Sequence, residues 1–228
     1  MTGTAHPTLI VLDVNETLSD MSPLASAFED VGAPRAAAPL WFATTLRDGF
    51  ALGMAGQNPP FLELAKDVLR TLLAPYVADE QQRDAAVQSV LDAFAELDTH
   101  PDVPDALRDL REAGIRLVTL SNGSARVAET LLGRAGLSEV VEQLLSVEDA
   151  PAWKPDPRAY EYALQRTGVA AERAMLVATH PWDVDGAARA GLRTAWVNRS
   201  GIGYPASFRP ADVTVPSLAD LPMALTAG

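Results

Sequence analysis

A single aspartate, Asp13, directly follows the apolar or β-branched run 8–12, and this position suits a reacting group. The run predicts a buried parallel strand, and open α/β sheets place their ligands at the carboxyl ends of such strands. A carboxylate there can be the nucleophile of a covalent mechanism. It can equally cap the turn that follows the strand. The rest of the chain must distinguish these two interpretations.

Two further segments carry groups that suit charged ligands. Segment 121–123, Ser-Asn-Gly, follows the apolar segment 115–120 and precedes a helical pattern. Its backbone N–H groups suit an anion, although an ordinary helix N-cap has the same composition. Lys154 lies between a tryptophan and a proline and is one of only two lysines, with Lys66. Its compact charge suits a specific ionic contact, with a solvated turn residue as the alternative.

His180 is the third candidate group, because it follows the apolar segment 175–178 and precedes another helical pattern. A histidine titrates near neutral pH, so one at a strand end is a candidate general base. A lone histidine in a loop is more often structural. The sequence therefore offers a nucleophile, an anion-binding turn, a cation and a base.

Helix and strand patterns alternate along most of the chain and must position these groups. The strand patterns lie at 8–12, 115–120, 144–147, 175–178, 194–197 and 212–215, the last as an edge strand. Four helical patterns lie between the first two strands, at 22–31, 37–54, 60–73 and 79–97. This order predicts an α/β fold with parallel βαβ units. We predict one core, residues 1–18 and 98–228, interrupted by a helical cap, residues 19–97.

Composition excludes several classes of function. The 228 residues carry a formal net charge of −12, which argues against nucleic acid or an anionic membrane as a partner. The absence of cysteine excludes disulfides, thiolate metal sites and a cysteine nucleophile. No segment has the pattern of a signal peptide or a membrane span, so we expect a cytoplasmic protein.

Taken in order, four segments resemble the motifs of the haloacid dehalogenase-like hydrolase superfamily, and the match covers nearly the whole chain. Within it the sequence looks like a type II (S)-2-haloacid dehalogenase. The matching residues are Asp13 with Thr17, Ser121-Asn122-Gly123, Lys154-Pro155-Asp156-Pro157-Arg158 with Tyr160, and Trp182-Asp183. The resemblance implies a Rossmann-like core with a mostly parallel sheet, a four-helix cap, and hydrolysis of a short 2-haloacid without metal or cofactor. It also allows a homodimer.

The resemblance further implies a role for each matched residue. Asp13 attacks the carbon that bears the halogen, water cleaves the resulting ester, and Lys154 keeps Asp13 ionised. Ser121 and neighbouring amides bind the substrate carboxylate, and Asn122 faces the departing halide. The remaining residues support the nucleophile and the water: Thr17, Tyr160 and Asp183.

A magnesium-dependent phosphatase of the same superfamily is the main alternative. Such phosphatases normally carry a second aspartate two residues after the nucleophile, where this chain has Asn15, and an acid where it has Thr179. A hard cation needs several anionic oxygens, so Asp183 alone makes a weak metal site. We therefore expect no metal and assign Asn15 to substrate binding. A catalytically weak small-molecule binder is the second alternative.

Two positions depart from the common dehalogenase pattern. Phe42 stands where many members carry a carboxylate-binding arginine, and Arg47 is a candidate to compensate for it. His180 stands where many carry asparagine, and Glu16 could orient it as the base that activates water. The alternative is that Glu16 is a solvated acid that caps the turn. We expect Phe42 and Trp182 to line the substrate pocket.

Overall fold

A six-stranded sheet forms the centre of the computed structural model, which describes residues 6–226. The strands are β1 Leu9–Leu12, β2 Arg116–Ser121, β3 Gln143–Ser146, β4 Ala174–Ala178, β5 Arg193–Val197 and β6 Val213–Val215. Their order is β3-β2-β1-β4-β5-β6, and every neighbouring pair is parallel. The predicted α/β class with a parallel sheet is confirmed, including the edge position of β6.

Nine α-helices accompany the sheet within residues 6–226. They are α1 Leu24–Asp30, α2 Ala37–Met54, α3 Phe61–Leu73, α4 Glu80–Ala95, α5 Val103–Glu112, α6 Ala125–Arg134, α7 Pro157–Thr167, α8 Pro181–Arg189 and α9 Leu221–Thr226. The short α9 was not predicted, because a six-residue helix is too short to show a helical period. None of these helices is long and apolar enough to cross a membrane.

The strand register brings the ends of β1, β2 and β4 together. Leu12 pairs with Thr119 of β2 and with Val177 of β4. The backbone N–H of Asp13 continues this pairing and donates to the Val177 carbonyl at 3.0 Å. The residues that follow these three strands therefore meet at the carboxyl end of the sheet, on either side of Asp13. We call this end the sheet edge.

Helices α1 to α4 lie between β1 and α5 in the chain, and the two connections that join them to the sheet run side by side. Ser19 and Thr99 form an antiparallel bridge, and the Asp20 N–H donates to the Asp98 carbonyl at 2.8 Å. The four helices bury an apolar cluster that is distinct from the clusters on the two faces of the sheet and that also includes Val147, Ala150, Trp153 and Ala159. On this basis we propose residues 19–97 as the cap.

Trp153, in the segment between β3 and α7, packs against helices α2 and α3. Its buried indole N–H donates to the Pro59 carbonyl at 2.9 Å, and its ring stacks on Phe61 with centroids 5.9 Å apart. The same ring lies against Gly49 of α2, where an added Cβ would overlap it. A glycine is therefore required at this contact between the cap and the core.

We expect Gly49→Ala to destabilise the protein by about 1–3 kcal/mol, because the methyl group overpacks the Trp153 contact. Gly53, in the same helix, has no atom within 4 Å of an added Cβ and provides the matched control. Gly53→Ala should stabilise α2 by about 0.5–1 kcal/mol. Urea unfolding measures both changes, and equal stabilities of the two variants would contradict the close packing at Gly49.

Candidate active site

Asp13 is buried at the end of β1 and both of its carboxylate oxygens accept hydrogen bonds. Its side chain is only 6% exposed. The Thr17 hydroxyl donates to Oδ2 at 2.6 Å, and the same hydroxyl accepts the backbone N–H of Thr179 at 3.0 Å. Thr17 thus connects the turn after β1 to the end of β4. Asp13 is held in one orientation rather than exposed as an ordinary turn residue.

The Lys154 ammonium lies between two carboxylates in the interior. Nζ donates to Asp13 Oδ1 at 2.9 Å and to Asp183 Oδ2 at 2.6 Å, and the lysine is completely buried. Asn122 fixes the backbone of this lysine, because its amide donates to the Lys154 carbonyl at 3.1 Å and accepts the Lys154 N–H at 2.9 Å. The predicted contact between Lys154 and the aspartate is therefore present, and Asn122 also has a positioning contact that was not predicted.

The environments of the two carboxylates shift their acidities in opposite directions. Burial raises the pKa of Asp13, but Lys154 and His180 lower it more, so the net pKa lies well below its usual range. Burial raises the pKa of Asp183; the Lys154 contact opposes this effect, and the charge of Asp13 adds to it. The Tyr160 hydroxyl donates to Asp183 Oδ1 at 2.6 Å. Asp13 is therefore the more acidic of the two carboxylates, as a nucleophile requires.

His180 lies between Asp13 and Glu16. Its Nε2 is 2.7 Å from Glu16 Oε2, and its Nδ1 is 3.3 Å from Asp13 Oδ2. Burial lowers the pKa of His180, but the hydrogen bonds and charges of Asp13 and Glu16 raise it to about 9. The structure therefore brings together the two residues that the sequence suggested as a pair.

The Glu16 backbone adopts a left-handed conformation, with φ of 62°, which non-glycine residues rarely adopt. Two contacts hold it there: its N–H donates to Ser19 Oγ at 3.2 Å, and its carbonyl accepts His100 Nε2–H at 3.1 Å. Strained backbone of this kind persists where surrounding contacts determine it. These contacts keep the Glu16 backbone in the conformation from which its carboxylate reaches His180. No sequence pattern pointed to Ser19 or His100 in this role.

Aromatic rings enclose the imidazole of His180. Trp182 stacks on it with centroids 5.2 Å apart, and Phe42 of α2 lies 6.1 Å from it. Phe50, also on α2, contacts Trp182 edge-on at 5.0 Å. Phe50 was not among the predicted site residues, although its spacing of eight residues from Phe42 places both on one face of the helix. A cap helix thus contacts the histidine directly and through Trp182.

The side chains of Ser121 and Asn15 both lie beside Gly123. Ser121 Oγ accepts the Gly123 N–H at 2.9 Å, and a Cβ at Gly123 would lie 3.5 Å from Asn15 Nδ2. Both side chains are buried near the sheet edge. Arg47 does not join them, because its guanidinium is 70% exposed and pairs with Asp48. Arg47 therefore does not replace the arginine that is missing at position 42.

The structure offers few oxygens to a divalent cation. Within residues 6–226, no three histidine, cysteine or acidic side chains are grouped as metal ligands. One oxygen of Asp13 and one of Asp183 already accept from Lys154 Nζ. The Thr179 hydroxyl, which stands where an acid would be needed, donates to the Val197 carbonyl at 3.0 Å. The residues present fit an ammonium better than Mg²⁺.

A cavity of about 500 Å³ opens beside His180, between the cap helices and the sheet edge. Its lining includes Glu16, Phe42 and His180, together with Arg199 and Ile202. Glu16 is the most accessible member of the histidine pair, with 41% of its side chain exposed against 14% for His180. Water and small solutes can therefore reach the pair from this cavity.

Comparison with known proteins gives consistent matches over most of the chain. A model of the family described as haloacid dehalogenase-like hydrolase matches residues 7–191. The chain is 31% identical to haloacetate dehalogenase H-2 of Moraxella sp. (strain B), over 91% of this chain and 92% of that protein. It is 31% identical to an (S)-2-haloacid dehalogenase of Pseudomonas sp. (strain YL), over 92% and 90%. A solved dehalogenase structure with an intermediate complex aligns with a TM-score of 0.87 at 29% identity, covering 95% of this chain and 96% of that one.

The raised pKa of His180 predicts how stability depends on pH. Its folded pKa of about 9 exceeds the ordinary value of 6.5, so the protonated ring stabilises the fold fully below pH 6.5, and this contribution disappears as the pH rises through 9. His180→Gln keeps a polar side chain that does not titrate. The stability difference between wild type and variant should decrease by on the order of 3 kcal/mol between pH 6 and pH 10. Urea unfolding at several pH values measures this; a constant difference would contradict it.

Proposed function

Because this chain belongs to the haloacid dehalogenase-like hydrolases, we propose that it hydrolyses the carbon–halogen bond of a short 2-haloacid with Asp13 as the nucleophile. The observation that carries this proposal is the buried Asp13 carboxylate, with Lys154 on one oxygen and His180 on the other. Such an arrangement holds a nucleophile ionised and places an imidazole beside it. The curated relatives act on haloacetate and (S)-2-haloacids, which supports the substrate class.

In the first step, an Asp13 oxygen attacks C2 of the substrate and the halide leaves with the bonding electrons. Lys154 and Thr17 fix the orientation of the carboxylate, so that it meets the carbon in one geometry. The product of this step is an ester between Asp13 and the 2-carbon of the acid. Asp183 and Tyr160 support the step indirectly, because they hold Lys154 in place.

In the second step, water attacks Cγ of Asp13 and the ester is cleaved. We assign its activation to His180, whose Nδ1 faces Asp13, and the orientation of His180 to Glu16. A carboxylate that accepts one ring N–H leaves the other nitrogen as the base, as in hydrolases that use a histidine with an acid. The cavity beside the pair supplies the water.

The substrate-binding residues are proposed from the family resemblance together with their positions in the site. We assign the substrate carboxylate to Ser121 and the amides of its turn, with Asn15 beside them. Asn122 borders the halide, while Phe42 and Trp182 form an apolar wall around the reacting carbon. An apolar wall in place of an arginine leaves recognition of the carboxylate to hydrogen-bond donors at the sheet edge.

A phosphatase is the less favoured function because Asn15 occupies the position two residues after the nucleophile. Protonation of a leaving group from that position would need an acid, and Asn15 cannot donate a proton in that way. The cytoplasmic location and the homodimer stay predictions from the sequence and the resemblance.

A panel of halogenated acids tests the function. Chloroacetate, bromoacetate, fluoroacetate and the two enantiomers of 2-chloropropionate should be compared by halide release without added metal. We expect release from at least one of them, and none from Asp13→Asn, which cannot form the ester. Absence of any halide, with phosphate released from a phosphate ester in the presence of magnesium, would replace this function by the alternative.

His180→Gln tests the water-activating role. Loss of a general base typically slows its step by about 10²–10⁴-fold, so we expect the variant to form the ester but hydrolyse it slowly. Intact-protein mass spectrometry should then show the mass of one substrate group, mapped by proteolysis to the peptide that contains Asp13. A fully active variant without this adduct would exclude His180 as the base.

A further inference from the structure

We infer that His180 is an imidazolium in the resting enzyme and becomes a base only when Asp13 is alkylated, so that the proton of the reaction leaves with the halide. The inference rests on the proposed function, because it concerns the order of events at the same site. It gives His180 a charge that depends on the covalent state of its neighbour.

The hydrogen-bond geometry favours the charged ring. Both ring nitrogens of His180 face carboxylate oxygens, Nδ1 at 3.3 Å from Asp13 and Nε2 at 2.7 Å from Glu16. An ionised carboxylate only accepts hydrogen bonds, and a neutral imidazole has only one N–H. In the neutral form, one nitrogen lone pair would therefore point at a carboxylate oxygen. The imidazolium satisfies both contacts.

The other charges around His180 do not reverse this preference. Lys154 and Asp183 lie behind Asp13 and pair with each other. The cap contributes Phe42, which is uncharged. Arg199 lines the same cavity and pairs with Asp102 at 2.7 Å. Asp20, which also lines the cavity, is a further acid. The pKa of about 9 is consistent with this balance: burial lowers it, and Asp13 and Glu16 together raise it.

Alkylation removes one of the two carboxylates. The ester of Asp13 carries no charge and its oxygens are weaker acceptors, while Glu16 still holds Nε2–H. Burial of the ring, which is only 14% exposed, disfavours the imidazolium, and only the Glu16 carboxylate still opposes this effect. The protonation equilibrium of His180 therefore shifts toward the neutral ring. Nδ1 is left without its proton and faces the ester carbonyl. The base thus forms when there is an ester to hydrolyse.

Atoms and charges balance over the two steps. In the first, the bond from Asp13 Oδ to C2 forms, C2–X breaks with its electron pair on the halide, and the Nδ1–H bond of His180 breaks, with the proton passing to water. In the second step water gives one proton to Nδ1 and its oxygen to Cγ of Asp13. The ester C–O bond breaks and the leaving alkoxide takes the Nδ1 proton.

Asp13 is then a carboxylic acid beside a neutral histidine, and proton transfer between them restores the resting state. One proton is released per turnover, and it is released in the first half-reaction. His180 and Glu16 line the cavity of about 500 Å³, so solvent in the cavity lies beside the ring and can take up the proton.

Titration of His180 by NMR tests the inference. The chain has three histidines, and Asp13→Asn reproduces the uncharged state of the alkylated residue without a substrate. We expect a protonated His180 at pH 8 in the wild type, and a pKa about 1–3 units lower in Asp13→Asn. If Asp13→Asn does not fold, Asp13→Ala gives the same comparison.

A neutral His180 at pH 8 in the wild type, or the same His180 pKa in both proteins, would overturn the inference.

Single-turnover kinetics with a pH indicator provides a second measurement. In the wild type the proton should appear with the halide; in His180→Gln the halide should appear first and the proton with the hydroxyacid. A wild-type proton signal that lags behind the halide would also overturn it. Absence of halide release would overturn the proposed function and leave the titration result standing.

Discussion

The contact of the Lys154 ammonium with Asp13 and Asp183 is the interaction on which the rest of the site depends. A completely buried lysine is tolerated only where carboxylates compensate its charge, and removal of one partner leaves an uncompensated charge in the interior. The surrounding structure is built to keep this arrangement. Asn122 fixes the lysine backbone, and Tyr160 fixes the second carboxylate. Three parallel strands and α7 and α8 therefore converge on one set of charges.

Much of the fold and part of the site could be predicted from the sequence, for definable reasons. Apolar runs followed by polar residues identify parallel strands and their carboxyl ends, so Asp13, Ser121 and His180 could be assigned to one edge before the strand order was known. The pairing of Glu16 with His180 followed from the same assignment. The local contacts could not be predicted. The hydrogen bond from His100 to the Glu16 carbonyl joins residues far apart in sequence, and no periodic sequence pattern predicts such a contact.

The cap helix α2 contacts the active site through aromatic side chains. Phe42 and Phe50 lie on one face of α2 and contact His180 and Trp182, so the position of this helix bears on the histidine. Aromatic contacts of this kind contribute about 0.5–1.5 kcal/mol each beyond the burial of their area. The site therefore combines ionic groups from the core with an apolar wall from the cap, and the contacts of Lys154 with Asp13 and Asp183 are weakly screened because all three side chains are buried.

The left-handed backbone at Glu16 affects which residues position 16 can accept. Glycine would adopt that conformation without strain, so the backbone conformation considered by itself favours glycine at this position. The carboxylate that reaches His180 is the reason to accept the strain, which is on the order of 1–3 kcal/mol. Position 16 is thus a place where a strained backbone and a stabilising contact with His180 oppose each other.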